Sequence, residues 1–453
     1  MSRAFKVTRL IIPCLVTSLA ACGAEPEVVV ERKILRVAGA QPAGTPDEYN
    51  ASRALIFHDV NGSDVDAVIL LMPGFLAGGN GARPLAEHLV KRGGIEVWAI
   101  DRRANLLEDL SGAAAADPEA TAAYYRDGGT VDGHTFEGFR KQDELEFMKE
   151  WGLSVHAEDL RAVVDEAKEQ HPDASLYLAG HSLGAMFAEV YAGYEFEDGR
   201  HGADDLDGLI FLDGVLGETP TTDDEYAKEL EGLQPFTALP VLGVEIYATL
   251  LIVGSRALLD PGGVVEDTIR DNALGLMMSV ADMPRMTNRA AVGFAFDNDF
   301  NPLGMLHTSL GYATGGALER YDNPFGDDQK SHPTDSDATY GWIDALDSDP
   351  QELSPVDNLL SASVDSEADF AEWYFPTRLS TDLRHTAPKD VTLPVLSMPA
   401  GLFLDSMAAV ADRMADGVSF KEVDAKHMAH VDVLVAADIP ANPVPDAIAA
   451  FVR

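Results

Sequence analysis

The stretch ASLYLAGHSLGAMFAEVYAGY, residues 174–194, reads as three pieces. Residues 175–179 are an apolar run of strand length, Gly180-His181-Ser182-Leu183-Gly184 is a turn, and residues 185–194 are helical with small residues on the first turn. A strand that passes into a helix within so few residues needs glycine wherever a Cβ would strike the neighbouring backbone, and it leaves the central residue strained. A serine held there stands clear of the sheet edge, which makes Ser182 the candidate nucleophile. A bare G-x-S-x-G arises by chance; the apolar strand before it and the helix after it supply the context the chemistry demands.

This junction resembles the nucleophile elbow of the α/β-hydrolase superfamily. The resemblance implies an α/β fold, with a mostly parallel central sheet flanked by helices and with serine, carboxylate and histidine arriving in that chain order. The flanking sequence fits such a core. Strand-like runs at 28–37 and 53–60 are followed by 67–72, AVILLM, a continuous apolar run expected of a strand buried on both faces. A helix at 83–92, a strand at 95–100, a helix at 155–170 and a strand at 209–212 continue the alternation, with an irregular excursion at 111–137. Directly after 67–72 comes Pro73-Gly74-Phe75-Leu76-Ala77-Gly78-Gly79. In the superfamily this loop supplies one oxyanion donor and the residue after the serine supplies the other. The resemblance thus implies Phe75 and Leu183, with Leu76 an alternative to Phe75; many family members carry His-Gly where this chain has Pro73-Gly74. The charged run Asp101-Arg102-Arg103 at a strand end reads as an ion-pair network holding a loop.

A serine hydroxyl is a poor nucleophile until a histidine takes its proton, and the histidine needs a carboxylate to hold its tautomer. The strand at 392–398 leads to Asp405, where the acid of this fold usually sits, and Asp213, after the strand at 209–212, is its rival, a position used in some lipase branches. The last strand, 418–423, runs into His427 and His430. His430-Val431-Asp432-Val433-Leu434, with Asp438-Ile439-Pro440 beyond, resembles the acid lipase branch, which favours His430 as general base. His427 fits the simpler Gly-His turn of small esterases, except that Lys426 replaces the glycine. The expected set is Ser182, Asp405 and His430.

Between 214 and 388 the alternation stops, and an inserted cap is expected to separate core residues 51–213 from 389–453. Residues 236–259 are apolar but contain Glu245, Arg256 and two glycines, which argues for a cap helix and against a membrane span. Four methionines in 272–286 are either a flexible acyl-chain lining or ordinary cap core. Asp297-Asn298-Asp299-Phe300-Asn301 lacks the glycine and closing glutamate of a calcium loop and reads as a polar turn. With no Gly-rich phosphate cradle and no zinc spacing, neither cofactor nor metal is expected.

The formal charge of -42 is spread along the 453 residues and repels phosphate backbones, so no nucleic-acid partner is expected. Arg3, Lys6 and Arg9 precede an apolar run at 10–19, a secretory signal covering 1–21. Leu19-Ala20-Ala21-Cys22 resembles a bacterial lipobox, which implies acylation of Cys22 and a lipid anchor at the cell envelope, with 22–50 as tether and first strand; an ordinary signal cleaved after Ala21 is the alternative. Of two cysteines, Cys14 lies within the removed segment, so the mature chain has no internal disulfide. The expectation is an exported, membrane-tethered esterase or lipase acting on hydrophobic esters. A peptidase on the same fold and a non-catalytic surface protein on a hydrolase scaffold are its rivals.

Overall fold

The computed structural model describes residues 28–62, 64–215, 220–238, 243–264, 284–344, 353–387, 389–403 and 408–453. Residues 1–21, expected as a signal, Cys22 and most of the methionine-rich stretch lie outside them.

The described residues build one eight-stranded sheet from β1 (Val30–Ala38), β2 (Ala51–Asp59), β3 (Ala67–Met72), β4 (Ile95–Asp101), β5 (Ser175–His181), β6 (Gly208–Leu212), β7 (Val395–Met398) and β8 (Phe420–Glu422). Their spatial order is β1-β2-β4-β3-β5-β6-β7-β8. The β1/β2 and β2/β4 pairs are antiparallel and the remaining pairs parallel. The apolar runs form strands because both faces are covered: every residue of β3, β4, β6 and β7 is buried. Alternation divides them between two cores. Ile69 and Leu71 pack with Leu85 and Leu89 of α1 (Arg83–Val90), while Val68, Leu70 and Met72 pack with Leu160 and Val164 on the opposite face.

This sheet positions the site through register. Met72 pairs with Gly180, His181 with Leu212, and Leu212 with Met398, so four parallel strands end side by side. The strand order reverses between β3 and β5, and the loops after them diverge to leave a crevice at their carboxyl ends.

Residues 111–137 depart from the expected irregular excursion. Pro118–Asp127 form a helix, α2, whose N-cap Asp117 accepts from the Glu119 amide and whose C-cap Gly128 is left-handed at φ 69°. The Asp-Pro start and Gly stop were present in the sequence; the alanine-rich, weakly periodic interior concealed the helix. Between β6 and β7 the described segments contribute no strand to the main sheet. They include α3 (Glu245–Leu259), the apolar segment expected as a cap helix, and a small sheet pairing Gly311–Thr314 with Thr339–Asp344. Among the described residues no helix is long and apolar enough to cross a membrane.

Candidate active site

Ser182 sits at φ 55° and ψ −123°, between β5 and the helix Leu183–Ala192. The bend is this tight because both glycines allow it: a Cβ on Gly180 would lie 2.2 Å from the Gly184 carbonyl, and one on Gly184 would lie 2.2 Å from Met72 O. The non-glycine positive φ is stored strain that aims the side chain into the crevice.

His430 reaches the same crevice from the loop after β8. Its ring donates from Nδ1 to Asp213 Oδ2 at 2.6 Å, the tautomer in which Nε2 holds the lone pair a base needs. Asp213 comes directly after β6 and is fully buried. Its Oδ1 accepts from the Ala400 and Phe403 amides at 2.8 and 3.0 Å, and Oδ2 accepts from Leu402 at 2.9 Å as well as from His430. Burial pushes its carboxyl up, but the His430 hydrogen bond and charge and these amides outweigh it and hold the group below its ordinary value. The other expected acid, Asp405, lies outside the described residues. The loop leading to it supplies three amides that cradle Asp213.

His181 is the second imidazole here. It is buried, its Nε2 donates to the His430 carbonyl at 2.9 Å, and the ring centroids are 4.4 Å apart. Burial, and then the neighbouring His430, drive its pKa down to about 3, which keeps it neutral and fit to brace the backbone of the His430 loop. His427 lies apart: it is exposed and bonds Ala441 O at 2.9 Å. Asp432, part of the sequence pattern around His430, bonds neither histidine. Its buried carboxylate accepts from Ser309 N and Oγ, Ser354 Oγ and Ala429 N.

Ser182 and His430 line one cavity of about 90 Å³ together with Gly74, Phe75 and Leu76. Apart from His181 and Tyr247 the rest of its wall is apolar, with Ile246 and Leu250 from α3 and Leu306 and Phe370 from other parts of the insertion. Ser182 is buried. The loop after β3 approaches it closely, since a Cβ on Gly74 would lie 3.1 Å from Ser182 Cβ. The amides of Phe75 and Leu76 are bound to no acceptor among the described residues, and Leu183 opens a helix, whose first amides lack intrahelical partners. Ser182, His430 and unbound amides thus border a largely apolar pocket, with Asp213 bonded to the far side of the imidazole. Among the described residues no group of three or more His, Cys, Asp or Glu could hold a metal ion.

Residues 67–241 match the family model of the alpha/beta hydrolase fold, a span that runs from β3 through the elbow into the insertion. Among solved structures, the chain is similar to a lipase candidate from Sulfolobus solfataricus, at 16% identity and TM-score 0.48 over 93% of each chain. It is also similar to a thermostable carboxyl esterase from Bacillus coagulans, at 14% identity and TM-score 0.40 over 93% of this chain and 97% of that one. A thermophilic esterase from Thermogutta terrifontis is similar at 11% identity and TM-score 0.38, over 93% and 98%. Nothing about substrate follows from likenesses this distant. No curated protein matches.

Proposed function

We propose that this chain, whose residues 67–241 match the alpha/beta hydrolase fold model, is a serine hydrolase that cleaves carboxylic esters of apolar acyl groups. The observation that carries this reading is the 2.6 Å bond from His430 to the buried Asp213, with His430 and Ser182 lining one cavity. His430 Nε2 takes the Ser182 proton as Oγ attacks the ester carbonyl, and Asp213 stabilises the imidazolium that forms. The Phe75 and Leu183 amides stabilise the oxyanion; His430 returns the proton to the leaving alcohol and then activates water against the acyl-enzyme. Asp213 takes the role expected of Asp405. An apolar wall with no acidic or basic side chain beyond the catalytic imidazole and its neighbour His181 favours a neutral hydrocarbon acyl group over a charged or peptidic one.

The proposal extends to the address: cleavage before Cys22 and acylation of its thiol would tether the mature chain to the cell envelope. Labelled palmitate should enter the parent and not Cys22→Ser.

The test of the chemistry is a fluorophosphonate probe on the full chain beside Ser182→Ala. Labelling of the parent alone is expected, with hydrolysis of p-nitrophenyl esters outrunning that of aminoacyl anilides. An unlabelled parent, or a labelled Ser182→Ala, would end this reading; faster anilide cleavage would transfer it to a peptidase.

A further inference from the structure

We propose that Arg102 is a positioning residue for the oxyanion loop: clamped by Glu372 of the insertion, its guanidinium draws the loop carbonyls away from Ser182 and so aims the Phe75 amide at the nascent oxyanion. The proposal rests on the serine-hydrolase reading above.

Arg102 comes directly after β4 and is 2% exposed. Its Nη1 donates to Pro73 O at 2.8 Å, and its Nη2 donates to Gly74 O at 2.8 Å and Ala77 O at 3.0 Å. One cation therefore gathers three carbonyls from a single short loop. In a trans peptide the C=O and the following N–H point in opposite directions. With Gly74 O turned onto Arg102, the Phe75 N–H is turned away from the guanidinium, and a Cβ on Gly74 would lie 3.1 Å from Ser182 Cβ. The same geometry disfavours Leu76 as the donor, because no hydrogen bond orients the Phe75 carbonyl among the described residues.

The guanidinium is itself fixed. Nε and Nη2 both donate to Glu372 Oε2, at 2.9 and 2.6 Å, and the Glu372 carboxylate is fully buried. Phe375 lies under the guanidinium carbon at 5.3 Å from ring centre, and the Phe75 ring packs edge-on against Phe375 at 4.8 Å. The Glu372 amide donates to Leu76 O at 2.9 Å, holding a leucine at φ 56°. A leucine in that region is strained, and the strain persists only where surroundings over-determine it. The loop is thus held strained by a residue of the core and by a segment of the insertion, which binds Leu76 directly and also fixes Arg102. Lysine cannot replace this arginine, because a single ammonium lacks the planar fork that reaches three carbonyls and a carboxylate together.

The test compares Arg102→Lys, Glu372→Gln and Ser182→Ala with the parent by ester hydrolysis, active-site titration with the fluorophosphonate, melting temperature, and affinity for an alkyl trifluoromethyl ketone. The serine adduct of that ketone carries the oxyanion. In Arg102→Lys, kcat per titrated serine should fall about 100-fold and ketone affinity should fall in proportion, with KM within about 3-fold. Glu372→Gln should move both quantities the same way by about 10-fold. A structural role alone would lower the melting temperature and the titrated fraction while leaving kcat per titrated serine and ketone affinity at parental values; that result overturns the proposal. If Arg102→Lys does not fold, Glu372→Gln decides by the same criterion. A parent with no Ser182-dependent titration would sink the hydrolase reading and this proposal with it, whereas a titrated parent with unaffected variants sinks the clamp alone.

Discussion

Two buried aspartates stand either side of the His430 loop and have opposite characters. Asp213 and Asp432 are both fully buried, and each accepts four hydrogen bonds. Asp213 takes three from amides and one from an imidazole, and its carboxyl is held low; for Asp432, burial prevails over two amides and two hydroxyls, and its carboxyl is raised. Equal counts of donors therefore do not make equal sites. In the proposed reaction a partner able to carry positive charge lets Asp213 stabilise imidazolium, whereas Asp432, with only neutral donors, is a clasp tying Ser309 and Ser354 of the insertion to the histidine loop.

The harshest challenge to this contrast is Asp213→Asn, which should lower kcat/KM by about 10⁴-fold by stabilising the wrong His430 tautomer, while Asp405→Asn stays within about 3-fold. Steady-state ester hydrolysis reads both, and the reverse ranking would move the acid role to Asp405. Asp432→Asn should instead act on stability. Whichever way the amide is turned, its new NH₂ must face a backbone N–H, that of Ser309 or that of Ala429, so the urea unfolding free energy should drop by about 1–3 kcal/mol with kcat/KM changed by less than about 10-fold.

The smallest effect is a pH slope. A carboxylate held low in the fold, as Asp213 is, contributes stability above its unfolded pKa and loses it as pH falls. A raised one does the opposite, because the native state binds the extra proton. Asp369 sharpens this second class: burial, with Asp101 nearby, drives its pKa from 3.8 to about 7 although Arg53 opposes the shift. Its contribution to stability should decline as pH rises from about 4 to about 7. The urea midpoint of the parent should therefore fall between about pH 4 and about pH 7, and the fall should be shallower in Asp369→Asn; an unchanged slope would remove Asp369 from this class.

Much of the core was legible because its signals are local. The run AVILLM, the glycines around Ser182 and the alternating helices each express a constraint within a few residues: burial on both faces, a bend without room for Cβ, or one apolar helix face. The acid was less legible. Asp213 and Asp405 both come after strands of the parallel sheet, and nothing in either's neighbours separates them. The pattern that favoured His430 over His427 included Asp432, which in the fold bonds neither histidine and instead anchors the insertion. The Arg102 clamp was visible only as a charged run, because its partners lie at Pro73, Gly74, Ala77 and Glu372, up to 270 residues away.

From its own residues, then, the chain determined the elbow, the buried parallel strands and the residue types a hydrolytic site requires, since these depend on sterics and burial between near neighbours. Tertiary structure decided which carboxylate meets the imidazole and which way the loop after β3 turns its amides. Those outcomes depend on strand register and on contacts across the insertion, where a charge is stabilised by whichever donors the fold brings within hydrogen-bonding distance.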